Sequence, residues 1–183
     1  MIESKLKLEL LQHCRHDWMN KLQMIKGNLE LSNIERAAQM IDEMVIESRQ
    51  EALLTSLGTP SFSEWLLTYN WYRPGPLKLG YEFTERMKIP EAYDSLLLNW
   101  ARKTAAVVDK ALNTPSDQEL YFLFEQHDES FSIVVEYEGE PLQSSPEDII
   151  QEPKEAHVEW TCESSASFSI KLTFDYPVPR VKV

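Results

Sequence analysis

Apolar residues recur along the first thirty positions with the period of a helix. Leu11, Trp18, Leu22, Ile25 and Leu29 follow one another at spacings of seven, four, three and four. At 3.6 residues per turn they fall on one stripe of a helix from about Lys5 to Leu31, roughly 40 Å long. His16 lies roughly 150° from that stripe, with Asn20, Gln23 and Gly27 beside it within about 40°. Ser32-Asn33-Ile34-Glu35 has the form of a capping box that ends this helix and starts a second. The second repeats the period through Ile34, Ala38, Ile41, Met44 or Val45, and Ser48, and stops before the break at Gly58-Thr59-Pro60. So short a connection folds the two helices into an antiparallel hairpin. Each stripe runs most of the helix length, so two hairpins related by a two-fold axis are predicted to close a four-helix bundle.

Past Pro60 the pattern changes type. Phe62 to Tyr72 reads as a helix ending at Pro74-Gly75-Pro76, and Leu77 to Thr84 alternates as a strand with Leu77, Leu79, Tyr81 and Phe83 on one face. Pro90 opens a long helix through about Leu112. Two hairpins follow, Glu119–Gln126 with Phe131–Glu138 and Val158–Cys162 with Ser167–Phe174, separated by a short helix started at Ser145-Pro146. The predicted fold class is α+β: a helical hairpin, residues 1–57, then a domain of helices over one face of a mainly antiparallel sheet, residues 58–183.

Composition narrows the function. A hydrophobic share of 43% and a charged share of 26% belong to a globular protein. The start, Met1-Ile2-Glu3-Ser4-Lys5, lacks the basic and apolar pattern of a signal peptide, which predicts a cytoplasmic protein, and no apolar run is long enough for a membrane span. Cys14 and Cys162 have no metal or disulfide spacing. A net charge of -12 argues against nucleic acid as a partner. Residues 1–30 nevertheless hold five cations (Lys5, Lys7, Arg15, Lys21, Lys26) against four acids (Glu3, Glu9, Asp17, Glu30), a net of +1. An acidic partner is drawn to this part of the chain and repelled by the rest.

The histidine on the polar face of the first helix therefore sits where an acidic, phosphorylated partner would arrive. A neutral imidazole can attack a phosphoryl group and hold it as a phosphoramidate. Arg15 and Lys21 flank His16 and would steer the partner, while Gln23, Met24 and Gly27 form a docking surface, Gly27 letting a partner helix come close to the backbone. His13 and His16 stand three apart with no further ligand cluster, so no metal site is predicted.

Arg15-His16-Asp17-Trp18-Met19-Asn20-Lys21-Leu22-Gln23 resembles the histidine box of the sporulation initiation phosphotransferase B family of the bacillus phosphorelay. It is similar, more distantly, to the His-Asp-x-x-Asn-x-Leu boxes of citrate- and fumarate-type sensor kinases. The likeness continues through Ile25–Leu29, Met40–Ile46, Thr59-Pro60 and the helix Ala92–Ala111, and thins towards the C-terminus. It implies a homodimeric phosphotransferase that takes a phosphoryl group from an aspartyl-phosphate on a single-domain response regulator. The group then passes to the receiver domain of a response-regulator transcription factor. His16 would be the phosphoacceptor. Asp17 would act as a base or orient the ring, an indirect contact given the roughly 100° between them on the helix, and Asn20 would donate to a phosphoryl oxygen. The resemblance also implies a C-terminal α/β sandwich shaped like a histidine-kinase ATPase domain without nucleotide binding. Only five glycines occur, at 27, 58, 75, 80 and 139, too scattered for a phosphate loop. Asp109-Lys110-Ala111 stands where the kinases have Asp-Asn-Ala, and a lysine cannot ligate magnesium. No stably bound cofactor is expected, any Mg2+ belonging to the partner receiver's acidic pocket. The rivals are a non-catalytic dimeric module that binds receivers or kinases, and a fragment of a sensor kinase.

Overall fold

The computed structural model describes residues 2–72 and 75–176. Pro74, first residue of the expected Pro74-Gly75-Pro76 break, lies outside the described residues. The chain divides into two compact units, residues 1–49 and 50–183.

The first unit consists of α1 (Ile2–Glu30) and most of α2 (Ile34–Thr55). The turn between them is not the expected capping box. Ser32 adopts the left-handed region at φ 59°, while the Asn33 N–H donates to the Asn28 carbonyl at 2.8 Å and the Ser32 N–H to that of Leu29 at 3.0 Å. These two bonds are a Schellman motif, so Ser32 terminates α1 and Asn33 caps α2. The Asn33 carbonyl receives the Ala37 N–H at 3.2 Å, and its side-chain amide donates to Asn28 Oδ1 at 3.2 Å. A serine in this conformation is strained by roughly 1 kcal/mol, which the bonds it completes offset.

Inside the hairpin Ile25, Ala37 and Met40 are buried, with Met44 against them. The stripe predicted for α2 lies on the outside of the hairpin, and a second stripe that includes Met44 packs inside. Ile34, Ala38, Ile41, Val45 and Ser48 are exposed, and the stripe facing α1 lies about 90° round the helix from them. On α1, Ile25 packs inside while Leu11, Trp18, Leu22 and Leu29 keep 49–64% of their surface. Small and flexible residues line the hairpin's own contact. Bulkier ones are left on its outside.

The second unit holds α3 (Pro60–Tyr72), β1 (Leu77–Phe83), a 3-10 turn (Glu91–Tyr93), α4 (Asp94–Ala111), β2 (Gln118–Gln126), β3 (Ser130–Glu138), α5 (Pro146–Ile149), β4 (His157–Ser164) and β5 (Ser167–Asp175). The five strands form one sheet in the order β1-β2-β3-β5-β4. β1 runs parallel to β2 and every other pair is antiparallel. Alternation decides the faces. Leu79, Phe122, Phe124, Ile133, Val135, Ile170 and Leu172 enter one core with Leu66, Leu97 and Val108 from the helices. Lys78, Glu82, Glu119, Glu136 and Lys171 fall on the other face by the same period of two.

The long helix begins later than Pro90 predicts. Glu91–Tyr93 makes a 3-10 turn, and α4 starts at Asp94. The buried Asp94 carboxylate accepts the Phe62 N–H at Oδ1 (2.8 Å) and the Ser61 N–H at Oδ2 (3.1 Å). One helix thus caps the N-terminus of another. The edge of β1 is closed by side chains. Asn70 receives the Leu79 N–H and donates to its carbonyl, both at 2.9 Å. Gln50 does the same to Phe83 at 2.8 and 3.4 Å.

Candidate functional site

His16 lies in the middle of α1, where regular helix presents every fourth residue on one face. Its side chain is 72% exposed and that of Asp17 50%. Asp17 Oδ1 lies 3.3 Å from His16 Nδ1, so the expected indirect contact is direct. Side chains of adjacent, solvated residues lean towards each other across the angle that separates their Cα–Cβ bonds. Asn20, one turn on, places Nδ2 3.2 Å from the same Nδ1. Both contacts fall on Nδ1, and no hydrogen bond among the described residues reaches Nε2.

The flanking residues divide. Arg15 is exposed and makes no ion pair among the described residues. Lys21 is half-buried and paired with Glu47 of α2, so its charge is already answered within the hairpin. Glu47 is the residue that pattern reading missed. Lys21 with Glu47 and Asn28 with Met40 obey one antiparallel register, which could have located it once the turn was placed. Gln23 and Met24 are exposed. A Cβ added at Gly27 would meet nothing within 4 Å, so the helix surface there is open. Cys14 and Cys162 are exposed free thiols. Among the described residues no three His, Cys, Asp or Glu side chains gather as a metal site.

In the second unit, Lys110 at the end of α4 is exposed and Asp109 half-buried against Gly75, where a Cβ would come 3.0 Å from Asp109 Oδ1. The solvated sheet face carries a hollow of about 470 Å³ lined by Glu119, Glu136, Glu138, Glu163 and Tyr121. Such a lining repels phosphates. Burial and then the Glu82 carboxylate push the Tyr121 phenol up to about 12. A groove of about 450 Å³ between α3 and α4 is lined by Trp65, Tyr69, Tyr72, Leu98, Glu64 and Arg102. No helix among the described residues is long and apolar enough to cross a membrane.

A family model described as Sensor kinase SpoOB-type, alpha-helical domain, matches residues 2–57. A second, described as Sporulation initiation phospho-transferase B, C-terminal, matches residues 58–175. The chain is 42% identical over 113 residues to the sporulation initiation phosphotransferase B of Bacillus subtilis (strain 168), a match covering 62% of this chain and 58% of that protein. This chain therefore matches less than two thirds of the length of that curated relative. Among solved structures it is similar to the histidine kinase AdeS of Acinetobacter baumannii, with 9% identity, a TM-score of 0.44, and 87% and 97% of the two chains covered. It is also similar to the blue-light activated histidine kinase of Erythrobacter litoralis EL346, with 10% identity, a TM-score of 0.48, and 87% and 59% covered.

Proposed function

Because this chain belongs to the sporulation initiation phosphotransferase B family, we propose that it relays a phosphoryl group through His16. The donor is an aspartyl-phosphate on a single-domain response regulator, and the acceptor is the receiver domain of a response-regulator transcription factor. One observation carries this above the rest: the His16 ring is exposed and both of its neighbours sit on Nδ1, so the Nε2 side of the ring is open to an approaching phosphoryl group.

In the forward step the Nε2 lone pair attacks phosphorus in line, and the bond to the aspartyl oxygen breaks with its electrons returning to the carboxylate. With a hydrogen on Nδ1, Asp17 accepts it and stabilises the ring as it gains positive charge. Asn20, one turn away, is within reach of a phosphoryl oxygen. In the second step a receiver carboxylate attacks and the electrons of the N–P bond return to Nε2. Magnesium is supplied by the receiver, and no ATP is used.

Arg15 steers the acidic receiver, with Gln23, Met24 and the open surface at Gly27 forming the docking surface. The apolar residues left outside the hairpin, Leu11, Trp18, Leu22 and Leu29 on α1 with Ile34, Ile41 and Val45 on α2, are what a second copy would cover. The chain acts as a homodimer in the cytoplasm.

The test is transfer of labelled phosphate from a phosphorylated receiver to this protein and to its His16→Gln variant. The label should be stable in base, lost in acid, and absent from the variant. A protein that binds the receiver but never takes the label would be the non-catalytic module instead.

A further inference from the structure

We infer that Asn20 draws His16 towards the ring form that cannot attack, in competition with Asp17, and that an arriving phosphoryl group removes this pull. The chemistry of the two neighbours forces a choice. A carboxylate oxygen only accepts, so Asp17 Oδ1 at 3.3 Å is satisfied only when Nδ1 carries the hydrogen. An amide nitrogen only donates, so Asn20 Nδ2 at 3.2 Å is satisfied only when Nδ1 has a lone pair. A neutral imidazole has one N–H, and the two contacts exclude each other. When Asn20 holds Nδ1, the hydrogen is on Nε2 and the ring has no lone pair at the nitrogen that must meet phosphorus. When Asp17 holds Nδ1–H, that lone pair is free.

The place of the amide on the helix makes the choice depend on substrate. Asn20 lies one turn from His16 on the same face, so a phosphoryl oxygen approaching Nε2 offers its amide a charged acceptor. A charged acceptor outcompetes the neutral ring nitrogen. As Asn20 turns to the phosphoryl oxygen, Nε2 gives its proton to water and Nδ1 takes one from water, which Asp17 then accepts as a hydrogen bond. The Nε2 lone pair now forms the N–P bond as the aspartyl P–O bond breaks and its electrons leave with the carboxylate. Protons and charge balance at each stage. The consequence is a histidine protonated at Nε2 for more of the time towards water and other electrophiles, and less so when a phosphoryl group draws Asn20 away. This deepens the proposed relay and rests on it.

Ring nitrogen shifts report the tautomer directly. Protein labelled with nitrogen-15 in histidine is recorded at about pH 8.5, roughly two units above the ordinary imidazole pKa, and the His16 signals are assigned with His16→Gln. Wild type should show both forms, with Nε2–H raised by the Asn20 contact. Asn20→Ala should raise the ratio of Nδ1–H to Nε2–H by about two- to tenfold, the worth of one solvated hydrogen bond. Asp17→Asn should lower that ratio, because the charged acceptor for Nδ1–H is gone. Alanine suits an exposed helix position, so the variant should fold, and circular dichroism checks this. A ratio unmoved in Asn20→Ala overturns the inference while labelling of His16 still supports the relay. Absence of label on wild type, with the ratio shifting as expected, sinks the relay and leaves the tautomer choice standing.

Discussion

Replacing Asp94 by alanine removes both acceptors from the N-terminus of α3 at once. The carboxylate is 8% exposed and takes the Phe62 and Ser61 N–H groups at 2.8 and 3.1 Å. Hydrogen bonds to a charged group contribute about 1.5–3 kcal/mol each, and a buried N–H left without a partner costs about 1–3 kcal/mol. Water entering the vacated space at the rim of α3 returns part of this, so a net loss of about 2–4 kcal/mol is expected. A unit of this size loses roughly 3–5 °C of Tm per kcal/mol, which gives a fall of about 6–20 °C. Asp94→Asn keeps one acceptor oxygen but loses the charge at the helix end, and should fall between wild type and alanine. Circular dichroism melts of the three proteins at pH 7 measure it. A Tm lowered by less than about 2 °C in Asp94→Ala would mean that the α3 N–H groups find other acceptors and that the carboxylate is no joint.

The apolar outside of the hairpin is tested by Leu22→Asp. An aspartate there would be buried and unpaired in a dimer, costing several kcal/mol, so sedimentation should show dissociation, whereas a wild type that is already a folded monomer contradicts the bundle. Ile25→Asp is less informative because Ile25 belongs to the hairpin's own core. Arg15→Glu should weaken association with the receiver at low salt, an effect that shrinks as salt rises; an unchanged association rate with a lower saturated transfer rate would place Arg15 in the chemistry. Lys21→Glu should instead loosen the hairpin by setting two acids against each other, and Glu47→Lys added to it should restore the melt by about 0.2–1 kcal/mol; no restoration would show the pair to be idle. Tyr121 should ionise near pH 12 in the native protein. Its raised native pKa makes it a source of stability that is complete below about pH 10, lost as pH rises through about 12, and removed in Tyr121→Phe. An ordinary titration near pH 10 would refute the cause assigned.

The sheet was legible because its signal is local. Leu77 and Leu79, or Phe168, Ile170 and Leu172, alternate against polar neighbours, and a one-sided core needs only that period. The exposed helix face around His16 was legible because Asn20, Gln23 and Gly27 leave it polar and short. What escaped depends on chain segments that only folding brings together. Ser32 gave no glycine to mark a left-handed turn. The α2 apolar residues split into two stripes, because one helix packs on its hairpin partner and keeps a second surface, and periodicity alone reads these as one. Asp94 and Glu47 look like ordinary surface acids until their partners, 32 and 26 residues away, are placed. The direct contact of Asp17 with His16 escaped because a helical wheel records where a side chain starts and not where it ends.

The amides of Asn70 and Gln50 on β1 bear on the order in which this chain becomes ordered during synthesis. β1 is the first strand made, and its sheet partner begins only at Gln118. Until that segment leaves the ribosome, β1 is an extended apolar stretch with an open backbone, the kind of surface on which nascent chains stick to one another. Asn70 stands nine residues before Leu79, and Gln50 stands 33 before Phe83. Both are therefore already translated when the strand appears. They can close loops to Leu79 and Phe83 well before β2 is made, and occupy there the same N–H and C=O groups that a foreign strand would seize. A protein whose sheet needs a distant strand to begin it thus carries, in two upstream side chains, a temporary neighbour that becomes permanent on the outer side once β2 arrives on the inner one.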